Sequence, residues 1–261
     1  CLLIIYLGAI SYGFLALKLV AKPDQFWVSS VFILGIFTFL TLFLYMKNTI
    51  ALLRPDEVVK MLVEEINSEN IHQKEWTDDI MQPVFDVVHA SISRFDVTTT
   101  RIGLNSISDR ILDLLPVFNN SEKEDIVNHF FNHLNRTILV AIRNEDEEII
   151  AQTIEILMKM GNRFAEIQNR ELIDNVLELS ESLGLHASDH GLEYSVQEIA
   201  ESLTEFNTKV INLESGDVSR RVIVTLGRIG EYTAEKNQTY ATEQISLALR
   251  LTGGDIADKK Y

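Results

Sequence analysis

The residues with the clearest capacity for chemistry are two pairs of histidines spaced four apart, His129 and His133 in HFFNH and His186 and His190 in HASDH. On a helix that spacing sets both imidazoles on one face, where they could hold zinc. No third ligand is evident for either pair, and the first lacks the glutamate of the HExxH pattern. The second lies in the glycine-flanked stretch LGLHASDHGL, which reads as a loop. The expectation is no metal, with polar histidines on helix surfaces or in loops.

The acids invite a similar weighing. Glu145-Asp146-Glu147-Glu148 offers four carboxylates in a row, but the run stands at the start of a helical pattern, where the macrodipole favours negative charge. Capping is therefore its expected role, and Asp96 and Asp217 at comparable turns admit the same account. No serine or threonine lies in a nucleophile elbow. There is no P-loop or dinucleotide fingerprint, and Gly227-Arg-Ile-Gly230 is only a fragment of a glycine pattern. The single cysteine, Cys1, leaves no disulfide framework, thiolate metal site or cysteine nucleophile. No catalytic residue and no cofactor is expected. Arg220, Arg221 and Arg228 form the one local basic cluster of the acidic part, which Glu231 and Glu235 on the same helix are expected to balance.

The elements that must carry these residues are of two kinds. The net charge of -15 over 261 residues divides into +3 for residues 1–54 and -18 for residues 55–261. An acidic domain without a basic stripe repels phosphate backbones, so nucleic acid is not an expected partner. Residues 1–21 and 26–46 are two apolar runs, the first with Lys18 as its only charge and the second with none. About 20 such residues span a hydrocarbon core of roughly 30 Å. Trp27, Tyr45 and Lys47 stand where interfacial residues belong, and the connector Lys22-Pro23-Asp24-Gln25 allows only an antiparallel hairpin. Residues 1–54 are thus expected to be a transmembrane helical hairpin, with the lipid bilayer as the partner of 1–46. The run opens at Cys1 without a methionine, so an upstream segment is expected. Lys47, Arg54 and Lys60 after the second span, against Lys18 and Lys22 at the connector, favour a cytoplasmic side for the rest.

Residues 55–261 read as an acidic, all-α domain. Apolar positions recur at three- and four-residue spacing, proline is confined to Pro55, Pro83 and Pro116, and Ser121-x-x-Glu124 and Ser195-x-x-Glu198 have capping-box form. A self-comparison aligns 151–184 with 220–253 without a gap, an offset of 69 residues. Gly161 falls on Gly230, Gly184 on Gly253, and Ala165-Glu166 on Ala234-Glu235. Extended backwards, the offset predicts two three-helix units, about 127–184 and 195–253, with a poorer match over about 80–115 that breaks at Arg94-Phe-Asp.

Repeat length, glycines at helix ends and small residues at crossings make 80–253 resemble the armadillo and HEAT-like class of helical repeats. The layout, a two-helix anchor followed by helical repeats, is similar to that of uncharacterised prokaryotic membrane proteins. The resemblance implies an α-solenoid-like stack sharing one elongated core, with no activity attached. The function expected is a membrane-anchored scaffold or adaptor that binds another protein, or a second copy of itself, at the membrane surface. The alternative is the regulatory domain of a transporter or channel assembly.

Overall fold

Turn chemistry fixes the architecture. Phe95 (φ 57°), Glu145 (φ 54°), Gln168 (φ 54°), Gly191 (φ 72°) and Asn237 (φ 59°) sit in the left-handed region, each one residue beyond a helix C-cap or close to it. Each is closed by the same pair of backbone bonds. In the first turn Phe95 N donates to Ile92 O at 3.0 Å and Asp96 N to Ser91 O at 2.9 Å. The same pattern returns at Glu145, Gln168, Gly191 and Asn237. This is the Schellman closure, and it turns the chain sharply enough to start the next helix at once. The following residue then caps that helix: Asp96 accepts from Thr99 N, Asp146 from Ile149 N and Asn169 from Leu172 N.

The computed structural model describes residues 33, 35–46, 54–67, 71, 79–211 and 216–258. The chain divides into two units, Cys1–Val58 and Val59–Tyr261. In the first, residues 35–46 are helical and turn large apolar side chains outward, with Phe37 64% and Phe39 68% exposed. The expected span 1–21, the connector and the start of the second span lie outside the described residues. Among the described residues no helix is long and apolar enough to cross a membrane.

The longer region contains α1 (Pro55–Glu65), which straddles the division, then α2 (Gln82–Ile92), α3 (Val97–Leu114) and a 3-10 turn (Leu115–Val117). It continues with α4 (Asn120–Arg143), α5 (Glu147–Glu166), α6 (Arg170–Asp189), α7 (Glu193–Ile211), α8 (Gly216–Glu235) and α9 (Thr239–Asp258). Among the described residues there is no strand. From α2 onward each helix packs on its neighbour in sequence or on the helix two further on. The result is two layers, α2–α4–α6–α8 and α3–α5–α7–α9, enclosing one continuous core that includes Phe85, Phe130, Phe164 and Phe206. The fold is an all-α helical repeat.

The repeating unit differs from the expected one. Helices α5 to α9 start at Glu147, Arg170, Glu193, Gly216 and Thr239, a constant pitch of 23 residues. The offset of 69 is therefore three helix pitches, and the unit that restores the same layer is a helix pair of two pitches. Side-chain bonds between successive pairs confirm this, because their partners lie 47 residues apart at Arg101–Glu148, Asn105–Gln152, Asn128–Asn175 and Glu181–Arg228. An odd number of pitches carries a residue into the other layer. Burial does not follow the offset of 69 at every position: Ala165 is buried while Ala234, its match, is exposed.

Gly161, Gly184, Gly230 and Gly253 stand on the same 23-residue grid, with Asn207 at the vacant node. They lie inside helices rather than at the helix ends that the repeat class implies. A Cβ on Gly161 would meet the Phe206 ring at 3.1 Å, one on Gly184 would meet Ile229 at 2.8 Å, and one on Gly230 would meet Ile245 at 2.9 Å. These three glycines let helices approach closely. Gly253 meets nothing within 4 Å. Asn207 is fully buried, and neither its Oδ1 nor its Nδ2 has a hydrogen-bond partner among the described residues.

The other helix starts shift slightly. The capping box of α4 is Asn119 with Glu122, two residues before the expected Ser121 and Glu124. Ser195 lies inside α7, where its hydroxyl points at Glu147 Oε2 across 3.4 Å.

Candidate functional site

The regular pitch fails at the start of the stack, and polar groups gather there. Asp79 stands just ahead of α2, a helix with Pro83 in its first turn, and its Oδ1 accepts from Met81 N at 3.0 Å and Gln82 N at 3.3 Å. These bonds fix the carboxylate against the backbone as an N-terminal cap does. Helix α4 faces it. Phe130, Leu134 and Ile138 bury the apolar stripe of α4, and the residues one turn apart beside that stripe are His129 and His133.

Both imidazoles converge on Asp79. His129 Nε2 lies 2.8 Å from Oδ1 and His133 Nε2 lies 2.6 Å from Oδ2. The His133 ring is stacked on Phe85 at 4.6 Å between centroids and 12° between planes, and His129 meets it edge-on at 4.9 Å. The His133 side chain is 3% exposed, whereas Asp79 and His129 keep about a fifth of theirs open, at 21% and 22%. One turn beyond His133, the Thr137 hydroxyl lies 3.1 Å from His133 O and 2.9 Å from His89 Nε2 on α2.

Electrostatics sets the protonation. Burial pushes the Asp79 carboxyl upward, but the hydrogen bonds and charges of His129 and His133 outweigh it and leave the group below the ordinary carboxylate value. Burial lowers His133 below the ordinary histidine value, and the opposing pull of Asp79 does not restore it. The pair therefore rests as a carboxylate accepting from a neutral imidazole, with the hydrogen of His133 on Nε2. His133 Nδ1 is then a bare acceptor, buried and without a partner among the described residues.

The ligand atoms of Asp79, His129 and His133 all lie within 4.8 Å of one another, a two-histidine, one-carboxylate set of the kind that holds zinc. This corrects the reading of His129 and His133 as surface histidines: the fold buries one and half-buries the other. The missing third group comes from 50 residues upstream of His129, across a segment that periodicity cannot bridge. Its sequence signal was an aspartate ahead of Pro83, which marks a helix start and says nothing of histidines. His186 and His190 are not brought to a third ligand. Helix α6 runs on to Asp189 through the expected loop, so His186 is helical with its Nδ1 donating to Ser182 O at 2.7 Å, and His190 is an exposed C-cap residue.

Elsewhere the acids do what capping requires. Asp96 and Asp146 are N-caps, and Thr99 holds the Asp96 carboxyl below its ordinary value. Asp217 lies in the first turn of α8 and pairs with Arg170 at 3.0 Å. The basic cluster is balanced from the adjacent helix rather than its own: Arg221 pairs with Asp174, and Arg228 with Glu181 at 3.1 Å, both acids on α6.

A second feature is an open trough of about 700 Å³ running between α5 and α7. Met158 and Phe206 form its apolar floor, and Glu155 and Glu198 are among the acids on its walls. The lysines beside them are engaged, Lys159 with Asp109 and Lys209 with Glu205.

No family model matches the chain, and no curated protein matches it. Among solved structures it is similar to a circular tandem repeat protein with novel repeat topology and enhanced subunit contact surfaces. That likeness has 13% identity and a TM-score of 0.47, over 89% of this chain and 65% of the other, so the chain spans about two thirds of that protein's length. It is also similar to a protein described as DHF58 filament, at 12% identity and a TM-score of 0.25, over 82% and 95% of the two chains.

Proposed function

We propose that this protein is a membrane-tethered, non-enzymatic adaptor whose helical stack receives a basic, amphipathic segment of another protein on the cytoplasmic side. The observation that carries the reading is the trough between α5 and α7. Its apolar floor offers burial to one face of a guest helix or strand, and Glu155 and Glu198 have no ion-pair partner among the described residues to neutralise them. Extended open faces of this kind are what stacked helical repeats use for binding.

The tether rests on residues 1–46. Where this stretch is described, its apolar side chains are exposed, and the Thr41 hydroxyl donates back to Phe37 O at 2.7 Å, which satisfies it within the helix as a lipid setting demands.

A photo-crosslinking residue at Ser202, on the trough, in the full chain within its native membrane tests both parts. The expected result is a protein crosslink that disappears in the Glu155→Lys, Glu198→Lys variant, from a chain that resists alkaline extraction. A crosslink indifferent to the charge reversal would sink the trough as the docking face, and release by alkali would sink the tether.

A further inference from the structure

We propose that Asp79, His129 and His133 bind one divalent transition-metal ion of the zinc type, clasping the segment ahead of α2 to the middle of α4. Two features of the cluster point there. The donors are two imidazole nitrogens and a carboxylate oxygen, the set that suits zinc, cobalt and nickel rather than magnesium or calcium. Their positions are fixed before any ion arrives. Helix geometry sets the two histidines a turn apart, Phe85 stacks on the His133 ring at 4.6 Å, and two backbone N–H groups hold Asp79 Oδ1. Oδ1 is thus occupied by the backbone, which leaves Oδ2, 2.6 Å from His133 Nε2, as the ligating oxygen.

One nitrogen of the cluster is left unsatisfied. A buried imidazole with no partner for Nδ1 calls for an explanation, because nearly all buried polar atoms are satisfied. The ring's position is explained by its other nitrogen, which is held on the common point of the three ligands at the cost of Nδ1. When a metal takes Nε2 of the neutral His133 ring, the hydrogen carried there moves to Nδ1. The ion replaces the two N–H hydrogens that now separate the rings from the carboxylate, and the donors open by roughly half an ångström to take it at bonds of about 2.0 Å. With Asp79 and His129 each about one-fifth exposed, at 21% and 22%, an ion has a way in and a water can complete its fourth position.

The consequence is mechanical. The clasp would join the segment ahead of α2 to α4, before the point at which the constant 23-residue pitch sets in.

The test uses the purified full chain in detergent, stripped with a chelator and titrated with cobalt(II), then with zinc(II) in competition. The expected result is one cobalt equivalent with the intense visible bands of a four-coordinate site, displaced by zinc. His129→Gln and Asp79→Asn should each weaken zinc binding by at least about tenfold while helix content is unchanged. His186→Gln should leave binding as it was. His129 is the preferred variant because it is more exposed than His133, so loss of binding there separates ligation from misfolding. Absence of the visible bands in the unaltered protein, or equal zinc affinity in the His129→Gln and Asp79→Asn variants, would overturn the proposal.

Discussion

Helices α5 to α9 and helices α1 to α4 are built from the same turn chemistry, yet only the first set is periodic. From Glu147 onward every helix begins 23 residues after the last, and the glycines keep that grid. Before Glu147 the helices vary in length from 11 to 24 residues, two prolines interrupt the pattern, and the core admits three histidines, His89, His129 and His133, at its edge. Regular spacing makes each interface a copy of the last, which favours stability and leaves little room for a singular arrangement of side chains. The broken spacing is where Asp79 can meet two histidines.

The comparison predicts unequal responses to mutation. The largest belongs to Phe206→Ala in the periodic part. This ring is 1% exposed, packs against Gly161 and floors the trough, so its loss should lower stability by about 3 to 5 kcal/mol, read from chemical unfolding. Gly184→Ala comes next. Its new methyl would lie 2.8 Å from Ile229 Cδ1 and 3.1 Å from two further atoms of that side chain, so overpacking should cost about 1 to 3 kcal/mol despite the gain in helix propensity. A stability equal to or above that of the unaltered protein would show that α6 and α8 do not approach as described. Gly253→Ala should act in the opposite sense, because nothing lies within 4 Å of its Cβ position. An increase of roughly 0.5 to 1 kcal/mol is expected from propensity alone.

The smallest effect is a pH dependence confined to the irregular part. Burial holds His89 below its ordinary value of 6.5, with His133 and Arg136 acting the same way and Asp86 opposing. A base depressed in the folded state binds fewer protons than the unfolded chain as pH falls through that value. Its contribution to stability is therefore complete above about pH 6.5 and is lost between there and the folded pKa. Melting temperature should fall on acidification across this window, and His89→Gln should reduce the fall. An identical fall in the variant would assign the effect to other groups.

Much of this was legible in the residues. The starts of α5 and α6 follow from apolar spacing and from the caps Asp146 and Asn169, because capping is local chemistry, whereas the end of α6 runs past the glycine that suggested a loop. The repeat was legible as an offset but not as a unit. A match at three pitches pairs Gly161 with Gly230 as readily as one pitch pairs Gly161 with Gly184, and sequence does not say which layer a helix joins. The sequence pattern pairs Arg221 and Arg228 with acids of their own helix rather than with Asp174 and Glu181, because spacing along a helix is visible in sequence and contacts between helices are not. The candidate site was half legible. The spacing of His129 and His133 gave the pair, but their partner Asp79 depends on how α2 is laid against α4, which no local pattern encodes.

Hydrogen exchange of the full chain, with zinc and with chelator, tests most directly the claim that the singular chemistry lies where the repeat breaks. Added zinc should slow exchange in segments within 79–92 and 120–143 and leave those within 147–258 unchanged. No change on zinc addition, or protection that spreads evenly into α8 and α9, would contradict it.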